Sequence, residues 1–382
     1  MKEYKIVAPC HFGMEAVLKR EIQNLGYEID EVSDGRVIYR GDAKAVVMGN
    51  IHLRTAERIL LLVGSFRATT FEELFQGIRA LPWEDYIPED GKFWVTKANS
   101  INSKLYSAPD IQSIAKKAMV ERMKQKYHLD WFPEDGADYP VRIFIHKDQV
   151  MVTLDTTGAP LHKRGYRTLT SKAPIAETMA AALIMLTPWR GDRILMDPFC
   201  GSGTFCIEAA MMAANIAPGL RREFTAEDWP ENFPLTMWDE VRKEAEANIK
   251  LDVETNIQGF DIDSKMVEIA RENAKRAGVD GLIHFQRRAV KDAAHPKKYG
   301  FMITNPPYGE RLEDKEALPE LYTQLGEAYQ RLDSWSLFFI TSYEDAQKYM
   351  GRKADKNRKL YNGMLKTYFY QYLGPKPPKR QA

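Results

Sequence analysis

The sequence has 382 residues, 44% of them hydrophobic and 28% charged, with 24 Gly and 20 Pro; this is ordinary globular usage at about two and a half times a typical domain length, which excludes a single small module, a collagen-like or coiled-coil chain and a disordered one. The longest unbroken apolar run, Met179 to Leu186, is far short of the roughly 18 residues of a bilayer span, and no amino-terminal stretch is apolar enough for a secretion signal, so no membrane and a cytoplasmic location are expected. The 54 basic and 53 acidic side chains nearly cancel, and Cys10, Cys200 and Cys206 lack the paired spacing of a disulfide framework or a zinc site, so no metal is expected.

Lys5 to Ala8 reads as a strand, followed by a helix whose apolar positions Met14, Val17, Leu18, Ile22 and Leu25 stop at Gly26. A strand at Arg36 to Arg40, a helix at Asp42 to His52, a strand at Ile59 to Phe66 and a helix at Phe71 to Ala80 continue the alternation. After a strand at Phe93 to Ala98, Pro109 opens a long amphipathic helix, and Val141 to His146 and Val150 to Asp155 form a hairpin turning at Lys147-Asp148. The break at Thr157-Gly158-Ala159-Pro160 marks a domain boundary. Beyond Ser171, strands at Arg193 to Asp197, Ile257 to Asp261, Ile283 to Arg287, Phe301 to Thr304, Ser336 to Thr341 and Lys366 to Tyr372 alternate with helices, the pattern of a doubly wound sheet. The stretch from Asn215 to Leu251, rich in Trp, Pro and charge, is too long for a connection and reads as an inserted helical element or a lid.

Charge is unevenly spread. Residues 346–382 carry ten Lys or Arg against one acid, Asp355, and the stretch Lys163-Arg164-Gly165-Tyr166-Arg167, with Lys172 nearby, has no acid between Thr156 and Ala176. Either is a solvated surface or a nucleic-acid contact, with Tyr166 available to stack on a base.

The sharpest motif is Asp197-Pro198-Phe199-Cys200-Gly201-Ser202-Gly203-Thr204, set between an apolar strand and a helix. Gly201 and Gly203 permit a tight turn and close approach of a ligand to the backbone, while Asp197 can receive the ammonium of an amino-acid ligand. A dinucleotide fingerprint would place a third Gly where Cys206 stands. Asp261, ending the next strand, can accept two ribose hydroxyls; Asp263 suits a helix N-cap, and Asp292 offers a carboxylate to an adenine amino group. Asn305-Pro306-Pro307-Tyr308 ends the fourth strand in a stiff turn. There the Asn305 side chain and the Pro306 carbonyl can accept both hydrogens of an exocyclic amine, and Tyr308 can stack on the base that carries it. Cys200 and Cys206 read as small buried hydrophobes rather than nucleophiles.

Asp197 to Thr204 together with Asn305 to Leu312 resembles class I S-adenosylmethionine-dependent methyltransferases acting on exocyclic amines. Adding Leu161-His162-Lys163-Arg164-Gly165-Tyr166-Arg167, the chain resembles more narrowly the THUMP-domain RNA guanine-N2 methyltransferases of the RlmL amino-terminal-half or YpsC type. The resemblance implies an α/β protein with a ferredoxin-like element (residues 1–60), a THUMP RNA-binding domain (61–156), a basic linker (157–170) and a Rossmann-like methyltransferase domain (171–382). It implies S-adenosyl-L-methionine as cofactor, bound by Asp197, Phe199, Gly201, Gly203, Thr204, Asp261, Ile262, Asp292 and Asn305, and catalysis at Asn305, Pro306, Pro307 and Tyr308. Lys163, Arg164, Tyr166 and Arg167 are then expected on RNA, 23S rRNA ahead of tRNA, with one methylation per chain because the second methyltransferase of the long relatives is not repeated. An adenine-N6 methyltransferase of DNA or RNA would share the motifs of the sheet, and a non-catalytic RNA-binding protein is the remaining alternative.

Overall fold

The computed structural model describes residues 2–167, 174–309, 312–362 and 365–378. The chain divides into two compact units: Met1–Cys10 with Lys19–Leu161 and Arg222–Lys243, and His11–Leu18 with His162–Arg221 and Glu244–Ala382.

The first unit is built on β1 (Tyr4–Pro9), α1 (Glu15–Asn24, shared between the units), β2 (Ile29–Ser33), β3 (Arg36–Gly41), α2 (Ala43–His52), β4 (Leu60–Arg67), α3 (Phe71–Arg79), β5 (Lys92–Ile101), α4 (Ala108–Tyr127), β6 (Asp138–His146) and β7 (Gln149–Asp155). Its strands form one sheet in the order β2-β3-β1-β4-β7-β6-β5. The boundary expected at residues 60/61 falls at the start of β4, which pairs with β1 on one side and β7 on the other, so the two segments share a sheet. Local chemistry sets the elements. Asp42 caps α2 by accepting from the Ala45 N–H, Thr70 caps α3 through Glu73, and the β6–β7 hairpin turns on Lys147 and Asp148, both at positive φ as a two-residue turn of matching twist requires. β2, whose residues Asp30 and Glu31 are polar, escapes the apolar pattern; it forms by pairing with β3.

The expected linker begins inside the packed unit, because the Thr157 hydroxyl donates to Asn50 Oδ1 (2.7 Å) and the Asn50 amide to Thr156 Oγ1 (2.9 Å). Residues 222–243 belong to this unit too. Trp229 stacks on Tyr139 at 4.6 Å and donates to the Asp138 carbonyl, so the insertion is a packed helical element rather than a lid.

The second unit carries α5 (Glu177–Leu186), β8 (Leu195–Asp197), α6 (Thr204–Ala213), α7 (Leu235–Ala247, shared between the units), β9 (Ile257–Asp261), α8 (Ser264–Ala277), β10 (Ile283–Arg287), β11 (Phe301–Thr304), α9 (Leu312–Arg331), β12 (Ser336–Thr341), β13 (Lys356–Asn362) and β14 (Leu365–Tyr372). The sheet order β10-β9-β8-β11-β12-β14-β13 is parallel through β12 and closes with an antiparallel hairpin, a doubly wound sheet whose direction of travel reverses between β8 and β11. Every residue of β8, β11 and β12 is buried, as strands covered on both faces must be. A core of Met196, Phe260, Met302, Tyr322, Leu337 and Phe339 holds this sheet to its helices. The basic carboxyl-terminal stretch is not a frayed tail, since most of it forms the β13–β14 hairpin; Lys379 and Arg380 lie outside the described residues.

Candidate active site

In a doubly wound sheet the ligand crevice opens at the carboxyl ends of the strands where the strand order reverses. Here Asp197 is the last residue of β8, Thr304 the last of β11, and Asp261 the last of β9. The Thr304 hydroxyl donates to Asp197 Oδ1 at 2.5 Å, tying the two sides of the reversal together, and the Phe199 N–H donates to the same oxygen at 3.1 Å. Asp261 accepts from the Gly201 N–H (3.0 Å) and the Asp263 N–H (2.9 Å), while Asp263 caps α8 by accepting from Lys265, as its position suggested. Gly201 (φ +50°) and Gly203 (φ +86°) both occupy left-handed backbone; a Cβ at Gly203 would also press on Ala270 and Phe285 at 3.1 Å.

These strand ends enclose a cavity of about 590 Å³, a size suited to a small-molecule ligand. Asp197, Phe199, Gly201, Thr204, Asp261, Ile262, Asn305, Pro306, Pro307 and Tyr308 all line it. Gly203 shapes the turn from outside the lining. Asp292 is a correction: the Asp292 N–H bonds the Ala289 carbonyl in a tight 3-10 turn, which leaves its side chain exposed, and the wall there is made by Arg288, Ala289 and Val290 instead. Burial pushes the Asp197 carboxyl up to about 7 and raises Asp261 as well, so both carboxylates sit where a cationic or hydroxyl-bearing ligand would relieve the cost of their charge. Burial likewise holds the Cys200 and Cys206 thiols well above the usual thiol range, which keeps them protonated and poor nucleophiles.

The Asn-Pro-Pro-Tyr turn is braced from two sides. The Tyr308 hydroxyl donates to Asn305 Oδ1, so this tyrosine orients the amide as well as presenting a ring. Tyr322, buried on α9, donates to the Pro307 carbonyl at 3.2 Å and shares a 2.6 Å bond with Thr341 Oγ1, which in turn accepts from the Tyr343 N–H. Thr304, Tyr322 and Thr341 were not singled out from sequence. Thr304 adjoins the motif and could have been; Tyr322 lies 15 residues beyond Pro307 and carries no signal of its own. Glu310 and Arg311 lie outside the described residues.

The basic stretch behaves unlike its sequence reading. Arg164 is buried and meets Glu208 side-on at 3.4 and 3.5 Å; the buried Tyr166 donates its hydroxyl to the same carboxylate at 3.1 Å. Arg167 pairs with Glu177 at 2.9 Å and donates to the Ile175 carbonyl and to Thr204 Oγ1. The acids that these groups meet come from α5 and α6, so Arg164 and Tyr166 present neither charge nor ring to an RNA, and Arg167 braces the cavity wall at Thr204 and Ile175. Of the four expected RNA contacts only Lys163 is exposed; Lys172 lies outside the described residues.

Known proteins agree with this architecture. Residues 164–371 match the family model of the RMKL-like methyltransferase domain, residues 5–60 that of the RlmL ferredoxin-like domain and residues 68–155 that of the THUMP domain. The chain is 47% identical, over its whole length and 99% of the relative's, to YpsC of Bacillus subtilis, provisionally named an RNA methyltransferase. Among solved structures, SMU.472, a methyltransferase candidate complexed with SAH, is 45% identical and superposes with a TM-score of 0.93 over 99% of this chain and all of its own. A Listeria monocytogenes protein described as a predicted N6-adenine-specific DNA methylase is 47% identical, with a TM-score of 0.93 over 98% of this chain and 97% of its own.

Proposed function

The chain belongs to the RMKL-like methyltransferases, with a RlmL-type ferredoxin-like domain and a THUMP domain ahead of the methyltransferase domain, and from that premise we propose that it methylates the exocyclic N2 of a guanosine in RNA, 23S rRNA before tRNA. Its cofactor is S-adenosylmethionine, and it works on RNA in the cytoplasm.

The cavity residues fit that cofactor. Asp197 suits its ammonium, Asp261 its ribose hydroxyls, and the exposed apolar side chain of Ile262 a flat purine. The bound cofactor supplies an electrophilic methyl on a sulfonium: the guanine nitrogen forms the new C–N bond as the C–S bond breaks, and a proton then passes from nitrogen to water. The observation that carries the reading is the placement of Asn305 and Pro306 on the wall of the same cavity as Asp197 and Asp261. Asn305 Oδ1 and the Pro306 carbonyl accept the two amine hydrogens, which aims the nitrogen lone pair away from the turn. The Asn305 oxygen has two lone pairs, so it can hold the Tyr308 hydroxyl and the substrate together. No strong base is called for, because positioning and desolvation of the amine supply the rate.

The test is nucleoside mass spectrometry of 23S rRNA, taken from a strain lacking the gene, after incubation with the protein and cofactor. N2-methylguanosine is expected, and Asn305→Ala should cut turnover roughly a hundredfold with little change in cofactor affinity. N6-methyladenosine in its place would overturn the base assignment and favour the reading suggested by the Listeria relative's name.

A further inference from the structure

The two faces of the first sheet differ. Along β6, Val141, Ile143 and Ile145 are buried, whereas the alternating Arg142, Phe144 and His146 are partly or fully exposed. On that second face the strand register builds two rows: Lys97 on β5, Arg142 on β6 and Thr153 on β7, and beside it Asn99, Phe144 and Met151. Arg36, from the end of β3, brings its guanidinium 3.8 Å over the Phe144 ring, with Nη1 3.5 Å from Met151 Sδ. The rows and Arg36 enclose a depression of about 270 Å³, whose lining includes three cations, Arg36, Lys97 and Arg142, and no carboxylate. The ferredoxin-like segment contributes Arg36 and the THUMP segment the rest of these groups, so the depression exists only because the two share one sheet.

We infer that this depression is a binding site for a single-stranded RNA segment: one base stacks on the Arg36 guanidinium, already backed by Phe144, and the adjoining phosphates meet Lys97 and Arg142. The inference rests on the proposed RNA substrate and adds the place of capture. A planar cation resting on an aromatic ring offers a sequence-tolerant surface to a base, and a wall of cations without a carboxylate complements a phosphate chain. Arg142 is partly committed, at 3.2 Å from Asp155, which Arg58 also holds; Lys97 is exposed and Arg36 half-buried. Burial lowers the Arg36 guanidinium from its ordinary value against the opposing charges of Glu31 and Asp34, so a phosphate nearby would favour the charge it already carries.

The test uses the full chain and fluorescence anisotropy with a labelled single-stranded RNA, across a salt series. Lys97→Gln, at an exposed position, should weaken binding about three- to tenfold and flatten the salt dependence by about one unit of slope. Arg36→Lys keeps the charge and loses the plane; it should weaken binding to a similar degree with the slope unchanged. Cofactor affinity and the unfolding midpoint should stay at wild-type values in both. Wild-type affinity and slope in both variants, with the parent binding and methylating RNA, would overturn the site and leave the proposed function standing. A parent that binds no RNA would overturn both. Loss of binding to an acidic peptide, polyglutamate, with RNA binding intact, would assign the depression to a protein partner and overturn the inference.

Discussion

Two clusters of charge in the second unit look alike in sequence and do opposite things. Around Asp197 and Asp261, carboxylates stand at strand ends on the wall of a cavity, held by one hydroxyl and three backbone N–H groups, with their protonated forms favoured by burial. Around Glu208 and Glu177, carboxylates are met by Arg164, Tyr166 and Arg167, and these charges are spent on one another. The first arrangement leaves electrostatic work for a ligand to complete. The second already has its partners, and serves by clasping the segment before residue 168 to α5 and to Thr204 at the start of α6.

That contrast breaks first at Arg164. Arg164→Met strands Glu208 as a buried carboxylate beside Tyr166, which should cost about 3 to 5 kcal/mol in denaturant unfolding; the double change Arg164→Met with Glu208→Leu should recover much of it. Unchanged stability together with weakened RNA binding would return Arg164 to the role its sequence suggests. Next comes the pH dependence of cofactor affinity. With the empty-site carboxyl of Asp197 at about 7, a cationic ligand must displace its proton at lower pH, so affinity should rise about tenfold per pH unit toward 7 and level off above it. In Asp197→Asn this slope should largely vanish in calorimetry, and a slope that persists would place the ammonium elsewhere. The smallest effect belongs to the brace of the Asn-Pro-Pro-Tyr turn. Tyr322→Phe removes the bond to the Pro307 carbonyl, worth about 0.5 to 1.5 kcal/mol, so turnover should fall roughly three- to tenfold with cofactor affinity unmoved. Thr341→Val should do the same, and the pair together no worse than either alone; additive losses would mean that the two hydroxyls do not act as one chain.

Much of the fold was legible because its signals are local. Apolar periodicity located the parallel strands within one or two residues, Asp42 and Gly26 bounded helices, and the proline pair ended β11. The edge strands β2 and β13 were missed because hydrogen-bond pairing, not apolar burial, forms them, and their sequences, Ile-Asp-Glu-Val-Ser and Lys-Asn-Arg-Lys-Leu-Tyr-Asn, read as surface.

By itself the sequence determined the alternation of strands and helices, the glycine turn after Asp197 and the stiff turn after Asn305, since backbone propensity and side-chain type at those positions leave few conformations open. Only the tertiary structure decided which charges meet. Glu208 lies 44 residues from Arg164, Thr304 lies 107 from Asp197 and Met151 lies 115 from Arg36, and nothing in a basic stretch shows whether an acid from a distant helix will close over it. Whether a charge serves a ligand or its own fold is settled by the partner that packing brings within hydrogen-bond reach.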